Sequence, residues 1–302
     1  MRFNSTVFKK LCLLIMNVII IFTICACNKP KKLDIDDIYV IDDGVFQYKT
    51  NDLNYKNIIL DKTTLLFDST IEATRTEKIN GNEYQLEYCE TLSFAITGKK
   101  VHKYLINGTE DHFIYFNSDG TLDSILFEFA KLDILPTASA ETVQTLIIEE
   151  LKGIVDLSKY EYIDIFGNNK EHKGKFGIYD FLYYNMNNGY MTDYLKVSVS
   201  DEGSIFGFSI NNASVDIPPL TIDKKLEDKL LSEKLNNIYN NSSKIYKSYS
   251  MAFKPLVVLY DNELCIEYFV SVNYTDIKGG SETSDYIIRL LMPVHLVSDV
   301  NK

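Results

Sequence analysis

The feature that most restricts how this 302-residue chain can fold is an internal repeat with a period of 83. Ser118-Asp119-Gly120-Thr121-Leu122 falls on Asp201-Glu202-Gly203-Ser204-Ile205. Ile125 and Phe127 fall on Phe208 and Ile210, and Ile134 and Pro136 on Ile217 and Pro219. Val143, Ile147 and Ile148 then fall on Leu226, Leu230 and Leu231, and no gap is needed between 118 and 148. A turn, a proline and an apolar triplet that stay in register require the same local structure twice.

The physics of the unit follows from its residues. Leu195, Val197 and Val199 alternate with Lys196, Ser198 and Ser200, the period of a half-buried strand. Glu202-Gly203 is a hairpin signal, because glycine takes the positive φ of such a turn, and Phe206, Phe208 and Ile210 supply the returning strand. The first copy does the same through 113–116, Asp119-Gly120 and 122–127. A proline follows, then a helix start, with Thr137 or Ser139 as cap in one copy and Thr221 in the other. Val143, Ile147, Ile148, Leu151 and Ile154 share one helix face, as do Leu226, Leu230, Leu231, Leu235 and Ile238. A third echo aligns Glu110-Asp111-His112-Phe113, Thr192-Asp193-Tyr194-Leu195 and Ser284-Asp285-Tyr286-Ile287. The expected class is α+β: two or three tandem units, each an amphipathic helix packed on an antiparallel β-sheet. The expected divisions are a mostly-β unit at 46–136 and helix-plus-sheet units at 137–219 and 220–302.

The opening segment has its own pattern. Arg2, Lys9 and Lys10 precede the apolar run "LCLLIMNVIIIFTICA" at 11–26, the plan of a secretory signal peptide. That run falls short of the ~20 residues needed to span a bilayer core as a helix. Its end, Ile24-Cys25-Ala26-Cys27, resembles the lipobox of bacterial lipoproteins. The resemblance implies removal of residues 1–26, a thioether-linked diacylglycerol on Cys27, and a place on the extracytoplasmic face of the cell membrane. Two acyl chains give the stable anchoring that one does not. Residues 27–45 are charged and hold no period, which predicts an acidic tether.

Charge and cysteine content restrict partners. Removing residues 1–26 takes away three bases and no acid, so the net charge moves from −11 to −14. An acidic surface repels phosphate backbones, so nucleic acid is not an expected partner. Past Cys27 the cysteines are Cys89 and Cys265, whose flanks read as separate strands. Two free thiols are expected ahead of a disulfide, and no Cys or His spacing suggests zinc or another cofactor.

The stretch "YLKVSVSDEGSIFGFSI" at 194–210, echoed at 113–127 and preceded by the amphipathic helix, resembles the PepSY-like domains of bacterial secreted proteins. The likeness covers 137–210, which departs from it by the inserted "FGNNKEHKGK" at 166–175. It implies an inhibitory or chaperone-like module that binds protein and does not catalyse. No Gly-x-Ser-x-Gly elbow, Ser-x-x-Lys motif, P-loop or dinucleotide fingerprint is present. His112 beside Asp111 is the one histidine placed for a catalytic part, and an exposed strand histidine is the simpler expectation. The leading reading is therefore a cell-surface lipoprotein acting as a non-catalytic protein- or peptide-binding module. A glycan or small-ligand receptor is the alternative, with Tyr183, Tyr184, Tyr190 and Tyr194 in "YYNMNNGYMTDY" as stacking residues. A secreted hydrolase with an unrecognised site is a third.

Overall fold

In the computed structural model the chain divides after Asp34, and every element described below lies in the unit Ile35–Lys302. The structure describes residues 35–42, 57–61, 63–134, 138–166, 178–200, 202–211, 217–239, 244–276, 280–283 and 287–298. The signal segment and Cys27 lie outside the described residues.

The described chain begins with β1 (Tyr39–Asp42), which pairs in parallel with β2 (Ile58–Leu60). β3 (Thr63–Leu66) and β4 (Thr74–Ile79) lie end to end along β5 (Asn82–Phe94). An antiparallel meander continues through β6 (Lys100–Ile106), β7 (Thr109–Asn117) and β8 (Leu122–Leu126), with the short β9 (Ala130–Lys131) behind it. Helix α1 (Ala140–Leu151) leads to a second meander of β10 (Tyr162–Phe166), β11 (Ile178–Asn187), β12 (Tyr190–Ser200) and β13 (Ser204–Asn211). Helix α2 (Lys224–Tyr239) leads to β14 (Lys244–Met251) and β15 (Leu256–Tyr260), end to end along one edge of β16 (Glu263–Asp276). β17 (Ser281–Thr283) and β18 (Ile288–Pro293) line its other edge, and β1 pairs with β18.

The α+β expectation of tandem units is corrected by this topology. The class is predominantly β: among the described residues 18 strands join in one mixed sheet and there are two α-helices. Ladders cross the expected division at 136/137, because β13 pairs with β8 through Phe208↔Ile125 and with β9 through Ser204↔Lys131. The reason lies in edges. A returning hairpin strand has two hydrogen-bonding sides, and leaving one unpaired in a buried setting is costly. Each copy fills the other's open edge, so the duplicated hairpins make one sheet instead of two.

The core shows the same sharing. Val143, Ile147 and Leu151 of α1 are buried against Leu86, Ile114 and Ile125 from before the helix and Phe181, Val197 and Phe208 from after it. Leu230, Leu231, Leu235 and Ile238 of α2 pack on Val257, Tyr268, Val270 and Leu290. A third cluster sets Ile41, Cys265 and Leu291 against Tyr184 and Met191. Each fully buried aliphatic side chain contributes about 1.5–3 kcal/mol relative to exposure.

Several local expectations are met and others are corrected. Leu195, Val197 and Val199 are buried between less buried neighbours, and Gly120 and Gly203 hold φ of 84° and 85°. Ser139 caps α1, its Oγ accepting from the Thr142 amide at 3.3 Å. Asp223, not Thr221, caps α2: its Oδ1 accepts from the Lys225 and Leu226 amides, each at 3.1 Å. Ile148 falls off the apolar stripe and is 43% exposed. Residues 39–42, read from sequence as part of an acidic tether, are strand: β1 lies between β18 and β2 and buries Val40 and Ile41. Cys89 and Cys265 are free thiols.

Candidate functional site

Two parts of the sheet meet where β12 begins. Met191 pairs in parallel with Leu256, and the Met191 amide donates to the Pro255 carbonyl at 2.8 Å. The ribbon formed by β14 and β15 breaks just before this point, at 252–255. Pro255 has no amide proton to give to a ladder, which suits it to a break. Across the break, the Ala252 amide still reaches the Phe269 carbonyl at 2.8 Å. The segment 251–256 stands against the β10–β12 face opposite to α1 and encloses a cleft of about 740 Å³. That volume lies in the range of small-ligand pockets, ~300–1,000 Å³.

Strand alternation explains which side chains reach the cleft. Leu182 and Tyr194 line it, while their chain neighbours Phe181, Tyr183 and Leu195 are buried beneath α1. Met191, Phe253, Pro255, Leu256 and Phe269 complete a largely apolar lining. The Phe253 and Phe269 rings meet edge to face with centroids 5.8 Å apart.

The charged groups of the cleft are matched within it. Lys254 pairs with Asp164, and this hydrogen bond holds the ammonium pKa above its ordinary value. The same ammonium sits 4.9 Å from the Tyr184 ring centroid. Lys196 pairs with Asp180 at 2.9 Å, and the Ser198 hydroxyl donates to Asp180 at 2.6 Å. Each acid of the lining is thus tied to a lysine, which leaves apolar surface as the main offering to a ligand.

The fold divides the four tyrosines proposed as a stacking platform: Tyr184 and Tyr194 lie directly opposite one another across β11 and β12 and share the cleft face, whereas Tyr183 and Tyr190 enter other clusters. Tyr183 is buried beneath α1, Tyr184 is buried in the cluster that includes the cleft-lining Met191 and Leu256, and Tyr190 is buried in the core below α2. Tyr194 lines the cleft. Burial raises the pKa of Tyr183, and burial together with Glu227 raises that of Tyr190. His112 is exposed, its ring 5.9 Å from that of Phe127. His102 meets Thr91 Oγ1 through Nδ1 at 2.9 Å, and burial lowers its pKa. Among the described residues no cluster of three His, Cys, Asp or Glu could hold a metal.

Met251, Phe253, Lys254 and Phe269 were not candidates from the sequence. The signal that could have found them is Pro255 inside the apolar run "MAFKPLVVLY" at 251–260, which marks where a strand ribbon must break.

No known family's sequence profile matches this chain, and no curated protein matches it. Among solved structures, the MucA/MucB complex of Pseudomonas aeruginosa is similar at 10% identity over 78% of this chain and 91% of that one, with a TM-score of 0.15. MucB is similar at 9% identity over 78% and 89%, with a TM-score of 0.14. Superpositions this loose carry no inference about this chain.

Proposed function

We propose that this chain is a lipid-anchored, extracytoplasmic binding module that takes an apolar segment of a protein or peptide into the cleft beside 251–256. The observation that carries the reading is the lining: Leu182, Met191, Phe253, Leu256 and Phe269 form an open apolar surface whose neighbouring charges are matched. Its two lysines and two aspartates are tied to one another in pairs, so what the lining offers a ligand is mainly apolar contact area. A module of this kind can act as an inhibitor or as a chaperone for an exported chain. Cys27 would hold it at the membrane through a diacylglyceryl group.

The test uses residues 28–302, which contain all of the described unit, and fluorescent peptides of alternating apolar and polar residues. Saturable binding that Leu182→Glu removes is the expected result; absence of saturable binding to any apolar peptide overturns the reading. The anchor has its own test. Radiolabelled palmitate is expected on the wild-type chain and absent from Cys27→Ala, and label retained in that variant removes Cys27 from the role.

A further inference from the structure

Strand β10 is the outer strand of its meander: among the described residues it pairs with β11 alone, from Tyr162↔Tyr184 to Phe166↔Asp180 without a bulge. Among the described residues its other side therefore offers backbone donors and acceptors to a further strand. Proteins blunt such edges with charge, proline, bulges or short length. Four other edges carry those devices, and β15 (LVVLY), which lacks them, instead buries Leu256, Val257 and Val258. β14 has Lys244, Lys247 and a register shift at 246/248; β4 has Arg75, Glu77 and Lys78; β2 and β3 are three and four residues long. β10, sequence YIDIF, has one charge, Asp164, and Lys254 neutralises it. Its apolar side chains are exposed on both faces: Tyr162 by 47% and Phe166 by 45% on one, Ile165 by 37% on the other.

We propose that β10 is the acceptor edge for an extended peptide segment, which adds to the sheet as a strand and turns alternate side chains toward the cleft. This rests on the reading of the cleft as a peptide site. Residues directly opposite one another in a ladder share a face. Peptide side chains opposite Tyr162, Asp164 and Phe166 therefore lie on the cleft face, where Asp164 and Phe166 already line the cavity. Those opposite Ile163 and Ile165 lie on the α1 face. The recognised segment is at least five residues long, with apolar groups facing Tyr162, Ile165 and Phe166 and a small polar group facing the Lys254–Asp164 pair.

The probe is an eight-residue capped peptide alternating Val or Phe with Ser or Thr, titrated into residues 28–302. Two further versions carry N-methyl groups on alternate amides, one in each phase. Methylation in the phase that faces β10 is expected to weaken binding at least ~10-fold, and methylation in the other phase by less than ~3-fold, since only one phase donates to the edge. Ile165→Lys is expected to weaken the unmodified peptide similarly while keeping the thermal midpoint. Equal response to both phases, with the unmodified peptide still bound, overturns the β10 assignment and leaves the cleft reading standing. No binding of the unmodified peptide overturns both. A concentration-dependent dimer that Ile165→Lys abolishes would give the edge to a second copy and overturn the peptide assignment.

Discussion

The Tyr190 hydroxyl donates to Glu227 Oε1 at 2.6 Å, and Tyr268 donates to the same oxygen at 2.7 Å. Tyr190 opens β12, Tyr268 lies in β16 and Glu227 in the first turn of α2, so one buried carboxylate ties together three elements. Lys224 donates to the Tyr190 hydroxyl at 2.6 Å and lies 3.4 Å from Glu227 Oε2, which offsets the carboxylate's charge from the solvent side.

A hydrogen bond to a charged group is worth about 1.5–3 kcal/mol, so Tyr268→Phe is expected to lose about that much stability. Glu227→Ala should cost more than either Tyr→Phe change, because it leaves two buried hydroxyls without an acceptor. Urea unfolding followed by circular dichroism gives the comparison, since the chain has no Trp to report by fluorescence. A Glu227→Ala loss smaller than the Tyr268→Phe loss would contradict the shared-acceptor account. Tyr190→Ala would likewise act through folding, so lost glycan binding in that variant could not be credited to stacking.

The two repeat-related turns make an internal control. Gly120 and Gly203 share a left-handed φ, yet a Cβ on Gly120 would meet nothing within 4 Å. One on Gly203 would lie 2.5 Å from the Leu132 carbonyl oxygen and 2.8 Å from Ile134 Cγ1. Gly120→Ala is expected to cost about 1–2 kcal/mol for the left-handed conformation alone. Gly203→Ala should add an overpacking penalty of about 1–3 kcal/mol. Thermal midpoints of the two variants decide the matter: equal shifts would mean that the close packing of 132–134 on the second turn has no energetic weight.

These particulars show which parts of the fold the chain announces locally. Leu195, Val197 and Val199 announce a strand, Ser139 a helix start and Gly203 a turn, because each acts over a few residues. The pairing of Phe208 with Ile125 joins strands 83 positions apart, and no local preference encodes it. The same residues that reveal the repeat therefore suggested separate units where the fold makes a common sheet. The tyrosine cluster is divided for a reason the sequence did contain. Adjacent residues of a strand point to opposite faces, so Tyr183 and Tyr184 could not share a platform. The cleft itself depends on Met191 meeting Leu256, 65 positions away, and only Pro255 hinted at it.

Cys265 gives a prediction in pH. It is fully buried between the sheet parts, and burial pushes its thiol up from 9.0 to about 12. Between those values the folded chain holds a proton that the unfolded chain has lost. Stability from this group is therefore complete below pH 9 and declines as pH rises toward 12. The urea midpoint should fall across that window, and Cys265→Ala should make the fall shallower. At pH 8 a maleimide should label Cys89, which is partly exposed, well before Cys265. Labelling of both thiols at one rate under native conditions would show that the cluster around Cys265 opens freely.

Phe253 separates binding from folding. It stands 51% exposed on the wall of the cleft and holds an edge-to-face contact with Phe269. Its truncation removes little buried area, so Phe253→Ala should change stability by less than about 1 kcal/mol. If the cleft takes an apolar peptide side chain, the same truncation removes an aromatic anchor, and affinity should fall about 10-fold or more. Phe67→Ala is the matched control: Phe67 is also exposed and packs on Tyr88, outside the lining of the cleft. Fluorescence polarisation with the alternating peptide measures both. Equal affinity in Phe253→Ala and wild type would move the ligand off this wall, and a parallel loss in Phe67→Ala would mark the binding as general adhesion to exposed apolar residues.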